Sequence, residues 1–170
     1  RKNGNVILMK IQADIDAFPP EDSEEFRIIS KSLSAAPILI GEKTREKTLE
    51  DDTVYSRYNI SAITPKTFEN IVLHGELPMI HAGPGGYYVE IAGDVVKKKR
   101  QERGLSVGEI AEMIGTSRRT LYGYERGMAK ASVSAAYNLI WVLGTPVAKP
   151  INVFDKSRNR RKCQLLLTAK

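Results

Sequence analysis

The stretch Ser106-Val-Gly-Glu-Ile-Ala-Glu-Met-Ile-Gly-Thr-Ser-Arg-Arg-Thr-Leu-Tyr-Gly-Tyr-Glu-Arg-Gly127 predicts two short helices joined by a tight turn. Ser106, with a glutamate three positions later, has the pattern of a capping box, in which each side chain bonds the other residue's backbone N–H. Ser117 is an N-cap residue for the second helix. Gly115 and Gly127 end the two helices, because glycine adopts the left-handed conformation that follows a helix without strain.

This stretch resembles the helix-turn-helix of the Cro/repressor family. The small Ala111 lets the two helices cross closely, and Leu121 and Tyr124 anchor the second helix on the core. In this family the first turn of the second helix enters the major groove of double-stranded DNA. The resemblance therefore implies a sequence-specific DNA-binding module whose recognition helix covers about 117–125.

The same resemblance implies which side chains meet the DNA. They lie on the recognition helix, at the start of the helix before it and close to both: Ser117, Arg118, Arg119, Tyr122, Ser106, Arg126, Lys130 and Arg100. An arginine here can make a bidentate bond to guanine, worth ~1–3 kcal/mol of discrimination. In the alternative, Arg118 and Arg119 contact phosphates only and position the domain. Gly123 and Val107 depart from the family pattern, since many relatives have a long polar side chain at the first position and often a glutamine at the second.

Arg100 has a second implied role, because the resemblance pairs it with Glu125. In that interpretation a partly buried ion pair orients the recognition helix. The alternative is a solvated surface pair, which contributes at most ~1 kcal/mol.

Composition and charge agree with a polyanionic partner. Residues 94–150 hold 10 Lys+Arg and 5 Asp+Glu, whereas residues 1–93 hold 10 and 14, and residues 156–170 hold 6 basic residues and no acidic one. A basic back half of this kind is typical of nucleic-acid binding. The 170 residues contain one cysteine, which excludes an internal disulfide, and no apolar run long enough to cross a membrane. We therefore expect a cytoplasmic protein, and the initial Arg1 suggests a piece of a longer chain.

The front half predicts a mixed α/β arrangement. We expect a buried strand over 5–12, a breaker segment over 14–22 and a helix from Ser23 with Phe26, Ile28, Ile29 and Leu33 on its apolar face. Strands follow over 36–41 and 58–63, with an exposed charged stretch over 42–52 between them. Thr64-Pro65 predicts a helix start. Residues 78–91 read as a β-hairpin with its turn at 83–86.

The order of the whole chain resembles a family of archaeal HTH-type transcriptional regulators, in which a degenerate restriction-endonuclease-like domain precedes a Cro-type helix-turn-helix. The predicted fold is thus α+β or α/β: a small mixed sheet with flanking helices, then an all-α module of four to five helices. We expect four segments. They are an N-terminally truncated endonuclease-like domain (1–77), a β-hairpin connector (78–93), the DNA-binding domain (94–154) and a basic tail (155–170).

The endonuclease-like fold implies an acid-x-Lys triplet on the first strand, whose acid holds Mg²⁺ and whose lysine orients the attacking water. This chain has Leu8-Met9-Lys10 there, and an aliphatic side chain cannot bind a hard cation. Asp14 and Asp16 follow the strand, where solvated carboxylates are common. We therefore expect no enzyme activity, no catalytic residue, no metal and no cofactor, with ordinary structural roles for His74, His81 and Cys163.

The sequence as a whole predicts a DNA-binding transcriptional regulator that acts as a homodimer, because relatives bind paired half-sites about one helical turn apart. Two alternatives remain open. One is a protein-interaction module of the coactivator type, and the other is a Mg²⁺-dependent nuclease directed to its sites by the helix-turn-helix.

Overall fold

The computed structural model describes residues 6–155, which divide into two compact units. The first unit contains the residues up to Pro78 together with those from Ile151 onward, and the second runs from Met79 to Pro150.

A four-stranded mixed sheet forms the centre of the first unit. Strands β1 (Val6–Ile11), β2 (Ala35–Ile40), β3 (Thr53–Arg57) and β4 (Ile60–Ile63) lie in the order β1-β2-β4-β3. The pairs β1–β2 and β2–β4 are parallel, and β3 is antiparallel to β4. The parallel connection runs through a 3₁₀ turn (Ile15–Ala17) and helix α1 (Pro20–Ser32). Helix α2 (Pro65–Glu69) follows β4 and continues as a π-helical turn (Asn70–His74).

One apolar cluster of this unit is built from β-branched side chains, which are common in strand interiors. The buried members of this cluster are Ile38, Ile40, Val54, Ile63, Ile71, Ile151 and Val153. The predicted start of α2 is confirmed, since the Thr64 hydroxyl accepts a hydrogen bond from the Thr67 N–H at 3.1 Å and Pro65 occupies the first turn.

Two predictions about helix α1 are wrong. It begins at Pro20 rather than Ser23, because a proline in the first helical turn has no backbone bond to lose. Its predicted apolar face is wrong: Ile28, Ile29 and Leu33 are exposed, while serines 23 and 30 are buried. Those two hydroxyls donate to backbone carbonyls within the helix, so their burial leaves no polar group without a partner.

Strand β1 lies at one edge of the described sheet, and the prediction that it is buried is wrong, since residues 6–8 are only half-buried and residues 9–11 are exposed. Met9 and Ile11 are exposed, because β2 covers one side of β1 only. The strand predicted over 58–63 begins at Ile60 instead. Tyr58 and Asn59 have positive φ and form the two-residue turn of a β3–β4 hairpin, whose first strand the sequence pattern did not predict.

The second unit combines a small antiparallel sheet with four helices. Strands β5 (Ile80–Gly83) and β6 (Gly86–Val89) form the predicted hairpin, and β6 also pairs with β7 (Ala131–Ser132). The helices are α3 (Gly93–Glu102), α4 (Val107–Met113), α5 (Arg118–Glu125) and α6 (Val133–Leu143). Their shared core includes Val96, Ile110, Leu121, Leu139 and Leu143. The predicted fold class, a mixed sheet followed by a helical module, is confirmed, with a hairpin added to the helical unit.

Gly93 sets how closely the first turn of α3 approaches the end of α5. A Cβ atom at this position would lie 2.3 Å from the Glu125 carbonyl oxygen and 2.4 Å from that of Tyr124. Both distances are far below van der Waals contact, and both neighbours are backbone atoms that cannot turn aside. Only glycine therefore permits the observed packing of α3 on α5.

We expect Gly93→Ala to lower the free energy of unfolding of the helical unit by about 1–3 kcal/mol, the usual cost of forcing an extra carbon into a packed site. Chemical denaturation followed by circular dichroism measures the loss. Gly108→Ala is the matched control, since the three atoms nearest to its added Cβ all belong to the movable guanidinium of Arg118. Equal losses in the two variants would contradict the steric argument.

Candidate nucleic-acid interface

The two helices of the predicted motif begin with the predicted caps. The Ser106 hydroxyl accepts from the Glu109 N–H at 3.2 Å, and the Glu109 carboxylate accepts from the Ser106 N–H at 2.7 Å, which completes a capping box. This bonding lowers the pKa of Glu109. The Ser117 hydroxyl accepts from the Thr120 N–H at 3.0 Å. Both serines are exposed, so α4 and α5 each begin at the protein surface.

Helix α5 separates an inner face from an outer face. Leu121 and Tyr124 are buried against the core, and burial raises the pKa of the Tyr124 phenol. Arg118, Arg119 and Tyr122 are exposed. Within residues 6–155, neither arginine takes part in an ion pair. The first turn of α5 therefore carries two positive charges that no carboxylate in the described chain neutralises.

Arg118 lies across the first turn of α4. A Cβ on Gly108 would sit 2.7 Å from the Arg118 Nε atom, so the guanidinium packs directly over this glycine. Sequence analysis did not identify Gly108 as part of the site. The sequence did offer one indication, because Gly108 stands inside a short predicted helix. A glycine there lowers helix stability by ~1 kcal/mol relative to alanine, so a packing reason for it can be expected.

Tyr122 and Arg126 hold each other on the outer face. The Arg126 Nη1 atom donates to the Tyr122 hydroxyl at 2.6 Å, and the guanidinium lies 5.4 Å from the centre of the ring. Residues four apart on a helix are neighbours, and a cation over an aromatic face is attracted to it. The two predicted site residues thus form one ordered group at the end of α5.

Arg100 and Glu125 form a buried, bidentate ion pair between α3 and α5. The Nε and Nη2 atoms of Arg100 donate to the two carboxylate oxygens at 2.6 and 3.1 Å, and Nη1 donates to the Leu105 carbonyl at 2.9 Å. The side chains are only 13% and 5% exposed. These bonds raise the pKa of Arg100. The predicted pairing is present, and its burial excludes the solvated alternative.

The remaining basic residues of the interface are exposed. Lys130 lies in the segment between α5 and α6, and Lys97 and Lys98 lie on α3. Lys99 is instead paired with Glu102 at 2.8 Å, which lowers the pKa of that carboxyl. The predicted basic tail and Cys163 lie outside the described residues.

The residues that the endonuclease-like resemblance places on and after β1 take part in structural contacts or are exposed. Lys10 is exposed on β1, and Leu8 faces Pro37 in the register with β2. The Asp16 carboxylate accepts a bond from the Arg57 guanidinium, which lowers the pKa of Asp16. The Asp14 carboxylate accepts from the Asp16 N–H at 2.9 Å.

None of the described residues assemble into a group of three or more histidine, cysteine or acidic side chains that could hold a metal ion. His81 lies 3.1 Å from the Glu90 carboxylate, and His74 is exposed. No helix within residues 6–155 has the length and apolar character that crossing a membrane requires.

Comparison with known proteins finds two domain families in the chain. A model of the PD-(D/E)XK superfamily domain matches residues 1–78, and a helix-turn-helix model matches residues 96–149. The chain is 41% identical over 155 residues to a "putative HTH-type transcriptional regulatory protein" of Methanococcus maripaludis, covering 91% of this chain and 47% of that protein. A protein of the same description from Methanocaldococcus jannaschii is 41% identical over 149 residues, covering 88% and 46%.

One matching solved structure is the restriction-modification controller protein C.AhdI from Aeromonas hydrophila. It is 29% identical, with a TM-score of 0.30, over 31% of this chain and 79% of that chain. This chain spans about half the length of the curated relatives that it matches. The resemblance to archaeal HTH-type regulators with an endonuclease-like N-terminal domain is confirmed.

We expect Arg100→Ala to lower the free energy of unfolding by about 3–5 kcal/mol, because it leaves the buried Glu125 carboxylate without its partner. Chemical denaturation followed by circular dichroism measures this loss. Lys97→Ala, which removes an exposed charge from the same helix, is the control and should change stability by less than ~0.5 kcal/mol.

A double-mutant cycle with Glu125→Leu isolates the interaction. Residues that share such a network show coupling energies of ~0.5–3 kcal/mol. Additive losses in Arg100→Ala and Glu125→Leu would mean that the pair does not stabilise the packing of α3 on α5.

Proposed function

Because this chain is homologous over most of its length to archaeal HTH-type transcriptional regulatory proteins, we propose that it is a transcriptional regulator that binds double-stranded DNA sequence-specifically. Helix α5 enters the major groove. The single structural observation that supports this proposal is the first turn of α5, where Arg118 and Arg119 project from a helix whose opposite face is buried.

The interface makes two kinds of contact with DNA, one to base edges and one to phosphates. Arg118 and Arg119 reach the base edges, where one of them bonds guanine in the bidentate manner typical of arginine. Ser106, Ser117 and Lys130 contact phosphates and fix the register of the domain on the duplex. Tyr122 and Arg126 extend this surface as the ordered group described above.

Arg100 acts as a positioning residue. Its guanidinium donates to Glu125 and to the Leu105 carbonyl, and its side chain is mostly buried. It therefore supports DNA binding by holding the end of α5 on α3. This differs from a direct phosphate contact, which needs donors that face solvent.

The protein binds as a homodimer on paired half-sites. A single helix-turn-helix module contacts few base pairs, and regulators of this type place two modules about one helical turn apart. The two positive charges at the start of α5 in each copy then face the polyanion from the same side.

The PD-(D/E)XK domain serves as a scaffold and does not cleave DNA. A metal-dependent nuclease needs carboxylates that converge on Mg²⁺. In this chain Leu8 stands where the family resemblance expects the acid, and the nearby Asp16 is engaged by Arg57. The basic tail adds nonspecific attraction to DNA through the six positive charges of residues 156–170.

Selection of bound duplexes from a random DNA pool at ~150 mM salt, where purely electrostatic binding is already weak, tests sequence specificity. We expect an enriched, two-fold symmetric site that contains guanine. Binding without enrichment, and with a steep loss as salt rises, would overturn base reading. Absence of DNA binding with retention of a protein partner would favour the coactivator type of module.

On the selected site, we expect Arg118→Ala with Arg119→Ala to lose ~1–3 kcal/mol for each base contact removed and to relax the preference at the bases that they read. Lys97→Ala with Lys98→Ala is the control for charge alone. This control should weaken binding to all sequences alike and reduce the salt dependence. If both double variants behaved alike, the arginines would be phosphate contacts only.

A Mg²⁺ titration with a plasmid that carries the selected site tests the nuclease alternative. We expect no cleavage, because Leu8 supplies no ligand for the cation. Cleavage that requires Mg²⁺ and disappears in Lys10→Ala would overturn the scaffold role of the first unit. Cleavage that persists in Lys10→Ala would point to a contaminating enzyme.

A further inference from the structure

The second turn of α5, residues 121–124, presents one side chain to solvent. Leu121 and Tyr124 are buried, Gly123 has no side chain, and Tyr122 is 49% exposed. In the family that the motif resembles, many members have a long polar side chain at the position of Gly123. A side-chain contact between this turn and DNA must therefore come from Tyr122.

Gly123 serves the packing of the loop that follows α5. The Met128 N–H donates to the Gly123 carbonyl at 2.9 Å, and a Cβ on Gly123 would lie 3.3 Å from the Ala129 Cβ atom. This separation is tighter than most Cβ contacts, so any side chain at this position would press against the loop. The departure from the family pattern thus has a local structural reason, and it leaves Tyr122 as the polar group of this turn.

Tyr122 lies on the same face of α5 as the two arginines of the first turn. It follows Arg118 by four residues and Arg119 by three, and residues at these spacings are neighbours on a helix surface. Arg126 continues the row four residues later. Because the proposed function places Arg118 and Arg119 at base edges, Tyr122 lies one turn further along the surface that enters the major groove.

The contact with Arg126 determines what the Tyr122 hydroxyl can still do. The bond from the Arg126 Nη1 atom uses the hydroxyl oxygen as an acceptor, and the guanidinium lies over the ring. A phenol can also donate one proton, and no bond within residues 6–155 uses the hydroxyl proton of Tyr122. A bond accepted from a cation polarises the O–H group and makes it a stronger donor. The exposed hydroxyl is thus a donor that has no acceptor in the described part of the chain.

We propose that the Tyr122 hydroxyl donates to a base edge in the major groove and that Arg126 is its positioning residue. This inference rests on the proposed function and adds a base-reading group to it. The acceptors in that groove are guanine N7 and O6, adenine N7 and thymine O4, whereas cytosine presents a donor. Tyr122 therefore disfavours cytosine at one position of each half-site. A contact to a phosphate would instead carry no sequence information.

Fluorescence anisotropy of the full chain with labelled duplexes at ~150 mM salt tests the base contact. The duplexes are the selected site and a series in which each base pair is replaced in turn. We expect Tyr122→Phe, which keeps the ring and removes the hydroxyl, to weaken binding to the selected site by roughly 3- to 10-fold, the loss of one hydrogen bond. The variant should also lose the discrimination against cytosine at one position of each half-site and keep its preferences elsewhere.

Tyr58→Phe is the matched control. It removes the hydroxyl of another exposed tyrosine, which is 44% exposed in the turn between β3 and β4. This variant should bind every duplex as the unchanged protein does. Circular dichroism confirms that each variant is folded.

A double-mutant cycle tests the role of Arg126. Arg126→Ala should reduce the same discrimination against cytosine, and it should have no further effect on that discrimination in a chain that already carries Tyr122→Phe. A merely structural role would change the stability of the unit and would not change the preference at one base position. Discrimination that Arg126→Ala leaves intact would overturn the positioning role.

The outcomes separate this inference from the proposed function. If the unchanged protein selects a site and Tyr122→Phe weakens binding to all duplexes by the same factor, the hydroxyl contacts a phosphate. The inference is then overturned while the proposed function stands. Equal affinities of Tyr122→Phe and the unchanged protein for every duplex would overturn it as well. If the unchanged protein selects no site, the proposed function and the inference are both refuted.

Discussion

The ion pair between Arg100 and Glu125 is the contact on which the geometry of the helical unit depends. A short helix such as α5 has few residues with which to bury itself, and its outer face must remain in water. Two parallel hydrogen bonds from a planar guanidinium fix the direction of the Glu125 carboxylate as well as its distance. Because Arg100 also donates to the Leu105 carbonyl, one side chain links α3, the connection to α4 and the end of α5.

The position of α5, and with it that of its exposed first turn, also depends on this contact. Gly93 allows the start of α3 to lie against the backbone at the end of α5, so the ion pair acts over a very short separation. With α5 held in this way, Leu121 and Tyr124 are buried against the core, and Arg118 and Arg119 on the other side of the helix are exposed to solvent. Arg118 is further constrained by its contact over Gly108. The charged first turn thus projects from a helix that is held by packed contacts on its inner face.

The first unit is built on a mixed sheet, and the carboxylates that follow its first strand take part in structural contacts. Asp16 is bonded to Arg57, and Asp14 caps the short 3₁₀ turn, so both carboxylates stabilise the loop after β1. Buried serines on α1 satisfy their hydroxyls within the helix, and its isoleucines face outward.

The sequence alone determined the features that depend on residues three or four positions apart. The caps at Ser106 and Ser117, the helix ends at Gly115 and Gly127 and the order of the helices are of this kind, because their hydrogen bonds are local. The pairing of Arg100 with Glu125 also came from the sequence, through family resemblance. Tertiary structure decided which face of α1 is buried, that β1 lies at an edge of the described sheet, that Gly93 lies against the backbone of α5 and that Gly108 lies under Arg118. Those properties depend on neighbours distant in the chain, and periodicity carries no information about which neighbour covers a given face.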